Sequence, residues 1–232
     1  RAPGTAPVMN FIRLQQDYED PKSLASRFRR ARMKHVITLI RAIFEERGEC
    51  RIVDLGGRPD YWRAIDRTIL EDCKVRITTF NMEEQTSIDD PLFDQRHGDA
   101  CALDVEDGAF DLAHSNSVIE HVGGWANMER FAAETRRVAR RYYVQTPYFW
   151  FPIEPHLSAP LVHWAPEPMQ ARWLMKRGHA FVAQTTDMAS AMRAVQDARL
   201  LDKAMMRHLF PDGRLEEEKV AGLTKSLMAI RG

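Results

Sequence analysis

Two histidines and one carboxylate mark the chemistry open to this chain. His121 closes the run Ser115-Asn116-Ser117-Val118-Ile119-Glu120-His121, and His156 closes Glu154-Pro155-His156. A plain imidazole takes up and gives back a proton near neutral pH, so either ring could act as a base or orient a ligand. Both also have structural readings: His121 could cap or pack the helix that follows, and His156 could anchor its loop by a hydrogen bond. Asp54 ends the apolar run Arg51-Ile52-Val53 and is followed by Leu55-Gly56-Gly57. Glycines there let backbone N–H groups approach a ligand, and the N-terminus of a following helix favours an anionic group. Asp54 can meet a cationic or hydroxyl-bearing group.

Composition narrows the partners. Lysine plus arginine equals aspartate plus glutamate, 33 each, so no general attraction to nucleic acid is expected. Apolar residues make up 44% and charged residues 28% of the 232, which is ordinary globular composition. Cys50, Cys73 and Cys101 are scattered, without the paired spacing of a zinc site or a disulfide framework, so no metal is expected. No apolar run reaches the roughly 20 residues of a membrane span, and no signal-peptide pattern is present. The expected location is cytoplasmic, and the oligomeric state is open.

The elements that hold these residues follow from spacing. Residues 1–19 read as a flexible arm, and Asp20-Pro21 as a helix start. The helix runs to about Arg47, with Val36, Ile37, Ile40, Ile43 and Phe44 facing a core. Its earlier half carries Arg27, Arg29, Arg30, Arg32 and Lys34, either a solvated face or a basic cap over an anionic group. A strand at 51–54 leads to a helix from Tyr61 to about Glu71, with Trp62, Ile65, Ile69 and Leu70 on one side. Val75–Asn81, about Gln95–Asp99, Phe110–Ser115 and Tyr142–Thr146 read as further strands, with a helix over about Trp125–Arg140. Strands alternating with helices mean an α/β, doubly wound, mostly parallel sheet. Residues 148–213 form a proline-rich, helical insert with six of the eleven methionines, read either as a substrate lid or as ordinary core filling. Arg214–Val220 and Lys225–Ile230 read as a terminal hairpin.

The first turn is not that of a dinucleotide fold. Counted from Gly56, the second and third glycine positions of G-x-G-x-x-G hold Arg58 and Tyr61, with Asp60 just before the latter, which does not suit a pyrophosphate. An ordered series continues downstream. It comprises Asp54-Leu55-Gly56-Gly57, Asn81-Met82-Glu83, Gly98-Asp99-Ala100, Phe110-Asp111, Ser115 through Val122, Gln145-Thr146-Pro147, Leu209-Phe210-Pro211-Asp212 and Gly222 through Leu227. This series resembles the class I S-adenosylmethionine-dependent methyltransferases of the small-molecule, type 11 branch, over most of the chain from about residue 20.

The resemblance implies a Rossmann-like seven-stranded sheet of order 3-2-1-4-5-7-6, S-adenosyl-L-methionine as cofactor and a small-molecule methyl acceptor. It implies that Asp54 and the Gly56-Gly57 backbone hold the methionine end of the cofactor. Asn81, where the family usually has an acid, would accept from the ribose hydroxyls, with Glu83 as a possible substitute. Met82 would pack on the adenine, Asp99 would accept from its amino group, and the Ala100 N–H would lie nearby. Ser115 and Asn116 would close on the methionine moiety. By position rather than by resemblance, His121 is the candidate base for a hydroxyl acceptor and His156 the candidate to orient the substrate. Arg58 either faces solvent or pairs with the methionine carboxylate. The alternative function is a non-catalytic partner or scaffold with this fold. A nucleic-acid or protein acceptor is disfavoured by the balanced charge, the apolar insert and the absence of an Asn/Asp-Pro-Pro-Tyr/Phe motif.

Overall fold

Runs buried on both faces read as central strands, and those at Cys50–Leu55, Val75–Asn81, Phe110–Asn116 and Ala139–Pro147 set the frame of this chain. A computed structural model describes residues 24–83, 85–157, 159–176 and 185–232. The expected arm at 1–19 and the helix start at Asp20-Pro21 lie outside the described residues. Two compact units result, one comprising the chain through Cys50 with Arg58–Val75, the other Arg51–Gly57 with Arg76–Gly232.

In the first unit, helix α1 (Leu24–Arg47) buries Met33, Val36, Leu39, Ile40 and Ile43 at helical spacing. Ile37 and Phe44 are only half-buried. Gly48 ends the helix at φ +75°, with its N–H on the Phe44 carbonyl. The basic half is not a uniformly solvated face: Arg32 is buried, and the Arg29 guanidinium lies 5.0 Å over the Tyr61 ring. The single helix expected from Tyr61 to Glu71 is instead two, α2 (Pro59–Trp62) and α3 (Arg67–Asp72). Asp66 breaks it, because its extended backbone lets the carboxylate accept from the Thr68 N–H at 3.0 Å and start a new helix. Trp62, Ile65 and Leu70 are nevertheless buried.

The second unit carries the sheet. Its strands are β1 (Cys50–Leu55), β2 (Val75–Asn81), β3 (Phe93–His97), β4 (Phe110–Asn116) and β5 (Ala139–Pro147). A short ribbon of β6 (Ile153–Glu154) and β7 (Ala159–Pro160) follows, and β8 (Arg214–Val220) with β9 (Leu223–Arg231) closes the chain. The seven-stranded order is β3-β2-β1-β4-β5-β9-β8, which without the ribbon is the expected 3-2-1-4-5-7-6. β1 pairs parallel with β4, and β5 antiparallel with β9. β3 starts two residues earlier than expected, and the last pair is the expected hairpin.

Helix α4 (Trp125–Val138) buries Met128, Phe131, Ala132, Thr135 and Val138 along one face. It ends two residues before the expected Arg140, because Ala139 is already extended as the first residue of β5. Arg137 on this helix binds Glu134 and Asp107 and donates to the carbonyls of Leu103 and Val105, fixing the loop before β4. In the insert, α5 (Glu167–Lys176) and α6 (Met188–Gln196) share a small cluster with the ribbon, built on Leu157, Ala159 and Leu174. Helix α7 (Lys203–Leu209) belongs instead to the main core, through Met206, Leu209 and the following Phe210. Among the described residues, no helix is long and apolar enough to cross a membrane.

Candidate active site

The carboxyl ends of parallel strands leave a crevice on either side of the point where strand order reverses, here between β1 and β4. Gly56 leaves β1 at φ +68°, and its N–H donates to the Phe80 carbonyl of β2 at 2.8 Å. A side chain there would also meet the Val118 methyls at 2.7 Å, so only glycine fits both the turn and the space. The result is a cleft of about 550 Å³ that brings together Gly56, Asn81, Met82, Glu83, Asp99, Ala100 and His121.

Each wall has a local cause. The Asn81 side-chain amide donates to the Gly57 carbonyl at 2.9 Å, which fixes the amide orientation and ties β2 to the glycine turn. Its remaining acceptor is the single Oδ1. Met82 is 65% exposed beside it, an apolar group at the rim. Asp99 accepts from the Cys101 N–H at 2.8 Å through one oxygen, so it is a turn former and a cleft residue at once. Burial, with Asp99 nearby, pushes the Cys101 thiol up to about 11.

Four of the nine expected cofactor-binding residues do not line this cleft. Asp54 is fully buried, its Oδ1 lies 2.6 Å from His114 Nδ1, and its carboxylate fills the space beside Gly57. It supports the turn from behind. Gly57 packs on that carboxylate. Ser115 is buried and donates to the Leu55 carbonyl at 3.2 Å, and Asn116 ends β4 outside the lining. The wall comes from the next two residues, Ser117 and Val118. Ser117, at φ +55°, donates from its backbone to the Gln145 carbonyl, and that turn swings the chain across the cleft. Arg58 is exposed, and Asp60 pairs with Arg63 at 3.0 Å.

The two histidines meet. His121 Nε2 and His156 Nε2 are 3.1 Å apart, with the rings edge to face. His121 lines the first cleft, whereas His156 lines a second cavity of about 570 Å³ between the insert and helix α4. Trp125, Met128, Phe149 and Met205 make the apolar side of that cavity, and Glu167, Gln170 and Arg193 the polar side. Of the six insert methionines, Met205 therefore lines a cavity, Met206 is core, and Met169 is exposed.

Both rings are held from behind. His121 Nδ1 faces the Asp197 carbonyl oxygen at 3.1 Å, and His156 Nδ1 faces Glu154 Oε1 at 2.7 Å. Carbonyls and carboxylates accept, so each Nδ1 is the donor and each neutral ring turns a bare Nε2 toward the other. Burial acts against protonation of His156, but the bond to Glu154 and the charges of Glu154, Glu120 and Asp197 outweigh it and raise its pKa. Glu120, fully buried, accepts from Thr146 Oγ1 at 3.0 Å through Oε2, and its Oε1 has no hydrogen-bond partner among the described residues. Burial pushes its carboxyl upward, with His121 and His156 pulling the other way.

Glu120, Glu154, Asp197 and His163 join the site without a role expected from sequence. The first two flank the histidines in Ile-Glu-His and Glu-Pro-His, a signal that pairing could have used. Asp197 and His163 reach the site only through the fold of the insert. His163 Nε2 donates to the Phe149 carbonyl at 2.8 Å, and its Nδ1 is buried. Burial lowers its pKa.

Residues 70–142 match the family described as Methyltransferase domain. No curated protein matches the chain in sequence. Among solved structures, the 1,6-didemethyltoxoflavin-N1-methyltransferase of Burkholderia thailandensis, with bound 1,6-didemethyltoxoflavin and S-adenosylhomocysteine, is 14% identical with a TM-score of 0.49. That match covers 100% of this chain and 92% of that one. A SAM-dependent methyltransferase of Methanosarcina mazei is 13% identical over 78% of this chain and 91% of that one, with a TM-score of 0.47. A Rhodobacter sphaeroides protein described as a Zn-dependent alcohol dehydrogenase is 12% identical over 78% and 83%, with a TM-score of 0.49. At such low identity and score these likenesses carry no functional weight. The family match over residues 70–142 and the sheet order both fit a methyltransferase domain.

Proposed function

We propose that this protein transfers a methyl group from S-adenosylmethionine to a small-molecule acceptor held in the insert cavity. The observation that carries the proposal is the junction: a cleft at the carboxyl ends of β1 and β2 and a separate cavity of similar volume, with His121 of one against His156 of the other. Bound cofactor supplies an electrophilic sulfonium methyl and leaves as a neutral thioether. Within the cleft, Asp99 would accept from the adenine amino group, Met82 would cover the ring, and Asn81 Oδ1 would accept from a ribose hydroxyl. Gly56 and the Ser117-Val118 turn would border the methionine end, with Asp54 and Gly57 acting through the shape of the turn.

The chain's task is then alignment, which can supply several kcal/mol by holding the acceptor atom in line with the methyl. Trp125, Met128 and Phe149 would exclude water from the acceptor. His121 and His156 would contact the nucleophilic atom. The volume and the mixed apolar and polar lining suit a compact, partly aromatic acceptor. The test is incubation with methyl-labelled S-adenosylmethionine and small-molecule extract. Label in a low-molecular-mass product, absent with a Trp125→Ala, Phe149→Ala variant that still binds S-adenosylhomocysteine, supports the reading. Label found only on protein or RNA would refute it.

A further inference from the structure

Two imidazole nitrogens with their lone pairs turned toward each other at 3.1 Å repel unless something positive lies between them. Hydrogen bonding leaves no other arrangement for the neutral rings, since both Nδ1 atoms are committed to oxygen acceptors, Asp197 O and Glu154 Oε1. Beside this pair lies a third ligand-bearing group. Glu120 has no exposed surface, its Oε2 is taken by Thr146, and its Oε1 has no hydrogen-bond partner among the described residues. A buried carboxylate oxygen left so is costly unless an ion or a proton satisfies it.

We propose that Glu120, His121 and His156 hold a divalent transition-metal ion. One ligand atom from each lies within 4.8 Å of the others. Bonds of about 2.0–2.1 Å put tetrahedral ligands about 3.3 Å apart, so the histidine pair already has the required spacing and the carboxylate needs a modest closing. The outer groups are those of a metal site. Each ligating imidazole donates its other N–H to a carbonyl or carboxylate, which fixes the ring and raises its basicity. Glu154 does this for His156, and also accepts from the Leu157 N–H, so it is itself held in position. Two imidazoles and one carboxylate suit zinc and its first-row neighbours, whereas magnesium and calcium prefer all-oxygen sites.

Three protein ligands leave at least one position open, as in catalytic rather than structural zinc sites. That position falls where the cofactor cleft and the insert cavity meet, because His121 lines one and His156 the other. An oxygen or nitrogen of the acceptor bound there would be oriented and made more acidic, so the histidines would act through the ion rather than as bare bases. This role toward the acceptor rests on the methyl-transfer reading. Binding of the ion does not.

The experiment is calorimetric titration of the chelator-stripped full chain with Zn²⁺, and separately with Mg²⁺, followed by substitution with Co²⁺ and its visible absorption. The expected result is one Zn²⁺ per chain, no comparable Mg²⁺ binding, and a Co²⁺ spectrum of low coordination number. Glu120→Gln, which keeps the bond to Thr146 and the fold, should weaken Zn²⁺ by more than the about 10–100-fold typical of losing an outer partner. His156→Ala should do the same, and Glu154→Gln should fall within that range. Absence of Zn²⁺ binding by folded wild type, or wild-type affinity in Glu120→Gln and His156→Ala, overturns the proposal and leaves a shared proton between the rings. S-adenosylhomocysteine titrated into the stripped protein separates the two readings. Cofactor binding without metal binding sinks only the ion, and metal binding without cofactor binding sinks only the methyl-transfer reading.

Discussion

Gly57 offers the sharpest test of how the glycine turn is built. Its backbone is not among the positive-φ glycines, so alanine is conformationally allowed there. Space is the obstacle. An added Cβ would lie 1.8 Å from Asp54 Oδ2, 2.0 Å from its Cγ and 2.3 Å from Oδ1. The carboxylate must move by about an ångström or more to reach ordinary contact, yet it is fully buried and bonded to His114 at 2.6 Å. Gly57→Ala therefore adds overpacking strain of about 1–3 kcal/mol to a broken buried hydrogen bond of about 1–3 kcal/mol. Asp54→Ala alone removes the partner of His114 at a similar cost of about 1–3 kcal/mol, but it vacates the space that the new methyl needs. The double variant should be more stable than the sum of the singles by about 1–3 kcal/mol, as expected for residues in direct contact. Urea denaturation of the four proteins reads this coupling directly. Strict additivity would refute the claim that Asp54 supports the turn by packing beneath Gly57.

Asn81 makes the second prediction. Asn81→Asp restores the acid common in the family, but it sets a carboxylate oxygen against the Gly57 carbonyl and loses the 2.9 Å bond. Stability should fall by about 1–3 kcal/mol, and S-adenosylhomocysteine affinity should not rise. Unchanged stability with tighter binding would show that the Asn81–Gly57 bond is not needed. The third concerns acid. Arg137 beside Glu134, helped by the Leu103 N–H, lowers the Glu134 pKa below its ordinary 4.5. A depressed carboxylate pKa stabilises the fold above the unfolded value, so this contribution is complete above about pH 4.5 and is lost as pH falls through the lower folded pKa. Glu134→Gln should flatten stability against pH over that acidic window and leave it unchanged in shape near neutrality; an identical acid slope in both proteins, followed by thermal melting, would contradict the assignment.

The sheet is legible in the sequence because its signals are local. The β-branched run predicts Val75–Asn81 to the residue, and the Glu106-Asp107-Gly108 turn marks the entry to β4. The helix after the glycine turn misleads because a cap competes with periodicity: the apolar spacing of Trp62, Ile65 and Leu70 persists through Asp66, although the backbone does not. Within the site, Asn81, Met82, Asp99 and Ala100 follow strand ends, and their position in the series suffices to place them at the cleft. Ser115 belongs to the same series, yet strand alternation and the Leu55 carbonyl turn it inward, and Ser117 forms the wall in its place. The meeting of His121 with His156 has no local signal. It depends on the insert returning across the sheet, where Asp197 at the end of α6 fixes one ring and Glu154 of β6 the other.

That the cleft beyond β1 and β2 binds S-adenosylmethionine is tested most directly by calorimetric titration with S-adenosylhomocysteine. The comparison is with Asp99→Asn. In that variant the amide oxygen can keep the 2.8 Å bond to the Cys101 N–H, which leaves the NH₂ facing the adenine amino group, donor against donor. The expected result is one ligand per chain for the wild type and at least about tenfold weaker binding, roughly 1.4 kcal/mol, for the variant with its fold intact. Folded wild-type protein that gives no heat of binding, or equal affinity in both proteins, would contradict it.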